Sequence, residues 1–409
     1  MNRYERLTVM RKNSALLLSL ILLIFGCGPQ KIEKRLEGGV EVIINHIEPY
    51  RIAGQSSSLQ LEEVMILDTE NPIVAATGLV DINAFQVDSE GNIYFLSHRG
   101  ESHFFFKFDR EGQFVKSFGS KGQGPGEMEF PLLPRILPQD RLVVTDVLKK
   151  LMVFDTEGRV ASETRIDPNF VIVNPLDNGN FVVFWKAGAE DAADRHFNEK
   201  VSLFSPDDQE IQELDVLQIA RQVSFLDPVF AWRIDRDRIY QINEQRGYEI
   251  LVYGSSGSLI RKIRKQYDPV RLTPEIREAL LQGVPNDSPL RDSAVFPDYL
   301  PPIHTLFPDE EGRLYAVTFE GGERQDEYWC DIFNRDGVFF TRISLPVHFG
   351  RDPFPIYVLV KDQYLYCVGE KENGYQQLNK FRMIWNLKVI RMGASAYIPF
   401  PHCDSISTM

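Results

Sequence analysis

A strand–turn–strand unit that recurs six times constrains this chain more than any other feature. Its first copy runs Phe85-Gln-Val-Asp-Ser-Glu-Gly-Asn-Ile-Tyr-Phe-Leu96 and continues as Phe105-Phe-Lys-Phe-Asp-Arg-Glu-Gly-Gln-Phe-Val-Lys-Ser-Phe118. A unit this short cannot bury its own apolar faces, so the copies must pack on one another. The second copy covers Arg135–Thr145 and Leu151–Val160, the third Phe170–Phe184 and Val201–Ser205, and the fourth Ala231–Tyr240 and Ile250–Ile260. The fifth covers His304–Val317 and Cys330–Val338; the sixth covers Ile356–Cys367 and closes near Leu378–Lys388.

Each copy holds two hairpins. In the first, Asp or Asn near Gly supplies the left-handed backbone of a tight turn. The second carries Phe-Asp-x-x-Gly or a variant of it, with Gly112, Gly158, Gly257 and Gly337 at equivalent points. Four strands in roughly 40–50 residues is the size of a propeller blade, and six such blades close a ring. A parallel β-helix is the competing repeat fold, but it lacks such regular tight hairpins. The sixth copy has no clear fourth strand, whereas Leu61–Asp68 (LEEVMILD) is a strand to spare. The expected fold is therefore all-β: a six-bladed β-propeller with four-stranded blades, closed by an N-terminal strand completing the last blade.

The connection after blade one, Phe118-Gly-Ser-Lys-Gly-Gln-Gly-Pro-Gly-Glu-Met-Glu-Phe-Pro131, together with Phe108-Asp-Arg-Glu-Gly112, resembles the NHL-type repeat and the bacterial six-bladed β-propeller lipoproteins related to it. Leu300-Pro-Pro-Ile-His304 before the fifth copy is similar to a later blade start of that family. The resemblance spans nearly the whole chain after the leader at the level of the repeat. It implies a propeller, and it implies less about activity, because NHL-like propellers include binding modules and a few lyases or lactonases. Gly122, Gly124 and Gly126 are followed by neither Lys-Ser/Thr nor a clear helix, so they are read as a tight crossing between blades and not as a phosphate loop.

Residues 1–27 read as a targeting segment. Arg3, Arg6, Arg11 and Lys12 precede the apolar run Ser14–Phe25, which is shorter than the roughly 20 residues a membrane span needs. Ile24-Phe25-Gly26-Cys27 resembles a bacterial lipobox, with Phe25 the departure from the usual pattern. That resemblance implies cleavage before Cys27, lipidation of its thiol, and a folded part anchored to a membrane without spanning it. The expected place is the bacterial cell envelope, with Gly28 after the cysteine favouring the outer membrane. The expected domains are a lipoprotein signal peptide (1–27), a tether (28–60), the propeller (61–390) and a C-terminal tail (391–409).

Without residues 1–27, 41 basic and 57 acidic side chains remain, a net charge of −16. That balance and the lack of a basic aromatic stretch set nucleic acid aside as a partner. A monomer is expected. Cys330, Cys367 and Cys403 make an odd set that fits neither a closed disulfide framework nor a zinc motif. Cys330 and Cys367 lie in apolar strands and read as buried small side chains, with a bridge between them as the alternative.

Seven scattered histidines form no metal motif, and no G-x-S-x-G elbow is present, so neither catalytic nor metal residues are assigned and no cofactor is expected. His98 reads as packing or solvated. Propellers bind ligands where their innermost strands converge, which here places Asn83, Arg135, Trp232, Arg233, His304 and Tyr357 as candidates at a channel mouth. Arg135 and Arg233 could grip a carboxylate through paired hydrogen bonds; alternatively they line the tunnel, paired with acids of neighbouring blades. Residues 266–302, between blades four and five, hold a helix signal at Thr273–Gly283 and five later prolines. An excursion of that length is expected to cover one channel mouth. The expected function is an anchored binding or scaffolding propeller for an unknown protein or small ligand. The alternative is a lyase or lactonase using a divalent metal built around residues such as Asn83 and His304.

Overall fold

The computed structural model describes residues 32–52, 56, 58–187, 196–226, 228–281, 284–324, 327–346, 358–371 and 373–386. The expected signal peptide with Cys27, as well as Tyr357, Gly283, Cys403 and the C-terminal tail, lies outside the described residues. The chain opens with β1 (Glu33–Glu37), β2 (Val40–Asn45), β3 (Ser58–Asp68) and a short helix α1 (Pro72–Ala75). Blade one is β4 (Ala84–Val87), β5 (Ile93–Leu96), β6 (His103–Phe108) and β7 (Phe114–Ser120). Blade two is β8 (Pro131–Leu137), β9 (Arg141–Asp146), β10 (Lys150–Phe154) and β11 (Val160–Arg165). Blade three is β12 (Phe170–Pro175), β13 (Phe181–Ala187), β14 (His196–Phe204) and β15 (Glu210–Ala220). Blade four is β16 (Phe230–Asp235), β17 (Arg238–Asn243), β18 (Glu249–Gly254) and β19 (Leu259–Lys265), followed by α2 (Pro274–Leu280) and α3 (Pro289–Ser293). Blade five is β20 (Thr305–Pro308), β21 (Leu314–Gly321), β22 (Tyr328–Phe333) and β23 (Phe339–Leu345). Blade six takes β24 (Val358–Lys361), β25 (Tyr364–Glu370) and β26 (Gln376–Asn386) from the end of the chain and β3 from its beginning.

The protein is a six-bladed β-propeller, and the packing explains why its strands read as unbroken apolar runs. Successive side chains of a strand point to opposite faces of its sheet. In β5, Ile93 and Phe95 enter the core shared with blade six, while Tyr94 and Leu96 enter the core shared with blade two. Comparable apolar cores fill the other seams around the ring. Both faces of a blade are thus interior, which no isolated copy could achieve. Cys330 and Cys367 are free thiols buried in one core, between blades five and six.

Ring closure is antiparallel pairing of β3 with β26, from Gln377 opposite Asp68 to Asn386 opposite Ser58. The ladder carries a bulge between Lys380 and Phe381, opposite Met65 and Glu63, which leaves Val64 as the extra residue. An extra residue inverts the side-chain alternation. Leu59 and Leu61 therefore pack toward blade five, whereas Met65 and Leu67 pack toward blade one.

The expected tether is corrected by the structure. Part of 28–60 folds: β1 and β2 form a hairpin whose β2 pairs in parallel with β19, so blade four has six strands. The signal was Gly38-Gly39, whose φ of 59° and 86° make the tight two-residue turn. Asn45 pins the hairpin to blade five. Its Nδ2 donates to the carbonyls of Arg264 (3.1 Å) and Gly337 (3.0 Å), and its Oδ1 accepts the Phe339 N–H at 2.8 Å. Gly337 itself needs to be glycine twice over: its φ is 78°, and an added Cβ would lie 2.8 Å from Ile263 of the preceding blade.

The insertion after blade four contains α2, capped by the Thr273 hydroxyl and begun by Pro274 as the sequence suggests, and a second helix, α3, capped by Ser288. None of its described residues lines the channel cavity. Val295 N–H donates to the Val223 carbonyl (2.9 Å) and Phe296 stacks on Phe225, so the segment is moored to the connection between blades three and four. There it lines a separate cleft of about 760 Å³ with the end of β15.

Two truncations separate these roles. A chain starting at residue 70 lacks β3 and is expected to lose its cooperative thermal transition, because β26 and two apolar seams are laid open. A chain starting at residue 50 keeps β3 and is expected to melt cooperatively at a lower temperature, having lost Asn45 and its bonds, worth about 1–3 kcal/mol. Circular dichroism melts compare the two.

Candidate functional site

The innermost strands β4, β8, β12, β16, β20 and β24 surround the central channel. Each is followed by the turn into its second strand, and these turns gather at one end. There the inner strands enclose a cavity of about 510 Å³, within the size range of small-molecule sites.

Two arginines define its chemistry. Arg135 projects from β8, and its Nη1 donates to the Pro175 carbonyl of blade three at 2.6 Å. Arg233 projects from β16; its Nη1 donates to the Trp232 carbonyl at 2.8 Å and its Nη2 to the Thr305 hydroxyl of blade five at 2.9 Å. Neither guanidinium forms an ion pair with a carboxylate among the described residues. Burial lowers the pKa of both, that of Arg233 to about 10, and guanidinium groups stay protonated in proteins. Each has five N–H donors, and these bonds use one or two of them.

The charges at the rim are differently placed. Asp140 of the blade-two turn accepts the Ser89 N–H (2.9 Å) and hydroxyl (2.5 Å) of blade one. Glu310 of blade five pairs with Lys361 of blade six, and its carbonyl accepts Arg236 Nη2 of blade four at 2.8 Å. Asp88 and Asp309, which begin equivalent turns, accept the turn N–H groups and the hydroxyls of Tyr94 and Tyr315, each at 3.0 Å. These acids hold turns and neighbouring blades. Asp235 and Asp177 differ: they line the cavity and form neither an ion pair nor a side-chain hydrogen bond with any described residue. Burial raises the pKa of Asp235, opposed by the charge of Arg236 and reinforced by Asp309 and Glu310.

The six sequence candidates are not all gathered here. Arg135, Trp232 and Arg233 line the cavity, with the Trp232 ring stacked on Phe184 at 5.3 Å. Asn83 lies outside it, where its Oδ1 accepts the His98 N–H at 2.8 Å. His98 in turn stacks on Phe130 at 3.9 Å, a packing role. His304 also lies outside the cavity, buried with its ring edge-on to Phe319 at 4.9 Å. Asn83 and His304 thus sit in separate settings in blades one and five, and among the described residues no group of three or more His, Cys, Asp or Glu is placed to hold a metal ion. Asp235 escaped the sequence reading because Asp235-Arg-Asp237 looked like an ordinary turn. The available signal was its position two residues after Arg233, on the same face of one strand.

The glycine-rich crossing after blade one is satisfied from within. The Glu127 carboxylate accepts the Gly124 N–H (2.9 Å), Glu163 accepts the Gly126 N–H (2.6 Å), and Lys150 Nζ donates to the Gly124 carbonyl (2.9 Å). Met128, fully buried, anchors the loop in the core between blades one and two.

Residues 36–220 match the model of a protein family described as 6-bladed beta-propeller. Among solved structures, the chain is similar to a candidate exported protein of Bacteroides fragilis NCTC 9343, at 11% identity over 84% of this chain and 99% of that one, with a TM-score of 0.49. It is also similar to a member of the DUF4221 family from Bacteroides vulgatus ATCC 8482, at 11% identity over 81% and 100% of the two chains, with a TM-score of 0.45. A protein of unknown function from Bacteroides caccae matches at 16% identity over 66% and 84%, with a TM-score of 0.36. No curated protein matches the sequence.

His304 makes the fold acid-sensitive. Burial, then the nearby Arg233 charge, pushes its pKa down to about 3, against about 6.5 in an unfolded chain. Below pH 6.5 the unfolded chain binds a proton that the folded one refuses. The stability from this site is therefore present above about pH 6.5 and is lost as pH falls toward 3. His304→Asn is expected to remove about 2 kcal/mol of the loss between pH 7 and pH 5, measured by urea unfolding at both.

Proposed function

We propose that this protein is an envelope-anchored binding propeller whose channel takes a small anionic ligand, with a carboxylate as the group recognised. The observation that carries this reading is the pair of channel arginines, each held by neutral acceptors and without a carboxylate partner among the described residues. Holding a guanidinium away from bulk water without a counter-ion is unfavourable. Planar donor arrays of this kind fit carboxylate oxygens, and the resulting charge-assisted bonds are about twice as strong as neutral ones. The surrounding framework supports such a role, because the inner strands bearing Arg135 and Arg233 are fixed by apolar seams on both sides of their blades. The ligand then meets donors already oriented, which lowers the ordering cost of binding.

Anchoring rests on the leader. Its basic start, short apolar run and Gly26-Cys27 support lipid attachment and a place in the cell envelope, with the propeller displayed beside the membrane. Cys27→Ala is expected to abolish incorporation of labelled palmitate and to release the protein from the membrane fraction. Retained labelling and membrane association would remove this part of the proposal.

Binding is read by calorimetry with N-acetyl-alanyl-alanine, a probe that carries one negative charge and no amine. Saturable binding is expected. Arg135→Gln and Arg233→Gln should each weaken it at least tenfold, about 1.4 kcal/mol, while both variants still melt cooperatively. Affinity unchanged in folded variants, or no binding at all, overturns the anion reading.

A further inference from the structure

The channel holds opposite charges that do not meet. Arg233 and Asp235 stand two residues apart on β16, so their side chains leave the same face about 7 Å apart along the strand. That face looks toward blade five, where Arg233 bonds Thr305 and Asp235 feels the charges of Asp309 and Glu310. Arg135 feels Asp177 of the adjacent blade three and Asp235 of blade four electrostatically. Yet no ion pair joins either arginine to either acid, and both arginines and both acids line the same cavity of about 510 Å³. Acids placed to neutralise these arginines would close on them, because a separated pair in a low-dielectric site forfeits most of its attraction. Arg236, the cation next to Asp235, is directed to the Glu310 carbonyl at the rim. Asp235 is therefore a half-buried carboxylate that faces the cavity without a hydrogen-bond partner among the described residues, an arrangement that calls for an explanation.

Building on the anion reading above, we infer that the ligand is dipolar, a dipeptide or a molecule of like charge layout, with its carboxylate on Arg233 and Arg135 and its ammonium on Asp235. Two extended residues span about 7 Å, comparable to the roughly 7 Å between the backbone positions of Arg233 and Asp235 on β16. Trp232, Ile136 and Val360 add apolar wall for small side chains. The polarity is set by the strand: Asp235 lies at the turn end and Arg233 deeper, so the carboxylate enters first.

Calorimetry on the full chain with alanyl-alanine, its N-acetyl form and its C-terminal amide tests this. The free dipeptide should bind at least tenfold more tightly than either blocked form. Asp235→Asn should abolish the preference for the free amine; Arg233→Gln should abolish the preference for the free carboxylate. If the N-acetyl form binds as tightly as the free dipeptide and still depends on Arg233, the dipolar inference falls and the anion reading stands. If neither form binds, or neither responds to Arg233→Gln, both fall together. A preference for the free amine that persists in Asp235→Asn overturns the assignment to Asp235.

Discussion

Everything in this fold depends on each blade having two buried faces. A four-stranded sheet with apolar residues on alternate positions needs one partner; these sheets carry apolar residues at successive positions and need two. A linear stack would leave its first and last blades with an uncovered face, and a ring removes that liability. Closing the ring is therefore the central constraint, and the pairing of β3 with β26 is how the chain meets it. The bulge at Val64 is part of the same solution, since it lets one strand send Leu59 and Leu61 to one seam and Met65 and Leu67 to the next.

Closure also creates the channel, and the channel's charge pattern follows a different logic from the seams. At the seam between blades four and five, buried charges are in contact: Asp331 accepts the Tyr248 hydroxyl at 2.7 Å and pairs with Lys265 at 3.3 Å and Arg342 at 3.2 Å. Around the channel rim, Asp140, Glu310 and Lys361 are likewise engaged with adjacent blades. Inside the cavity, Arg135, Arg233 and Asp235 remain apart. At this seam and rim charge is satisfied, whereas among the described residues the cavity charges are left unmatched. The proposals of an anionic and then a dipolar ligand rest on that contrast.

The turns and strands were legible in the sequence to very different degrees. The hairpin glycines were readable because only a residue tolerating positive φ fits there, and Gly112, Gly158, Gly257 and Gly337 all adopt it. The β1–β2 hairpin was missed, although Gly38-Gly39 marked its turn, because a charged segment such as Glu33-Lys-Arg-Leu-Glu37 lacks the apolar density of a blade strand. That composition suits an outer edge strand, which solvent contacts on one side. Asn45 gave no sequence signal at all, since its three partners come from residues more than 200 positions away. For the site, arginines on inner strands could be named in advance, but Asn83 and His304 could not be distinguished from them. The His98 N–H that Asn83 accepts and the Phe319 ring beside His304 give them structural roles, and such neighbours are set by the tertiary arrangement.

The sequence by itself determined the repeat, its period, the turn positions and the need for an N-terminal strand to finish the last blade. These follow from local rules: side-chain alternation, backbone allowance at glycine, and the inability of a short sheet to bury two faces alone. Only the tertiary structure decided that blade four has six strands, that the insertion lines a side cleft, and that Asp235 and the two arginines share one cavity without pairing. Those outcomes depend on distances between blades, and a strand's own sequence carries its face and period but not what stands across the channel from it.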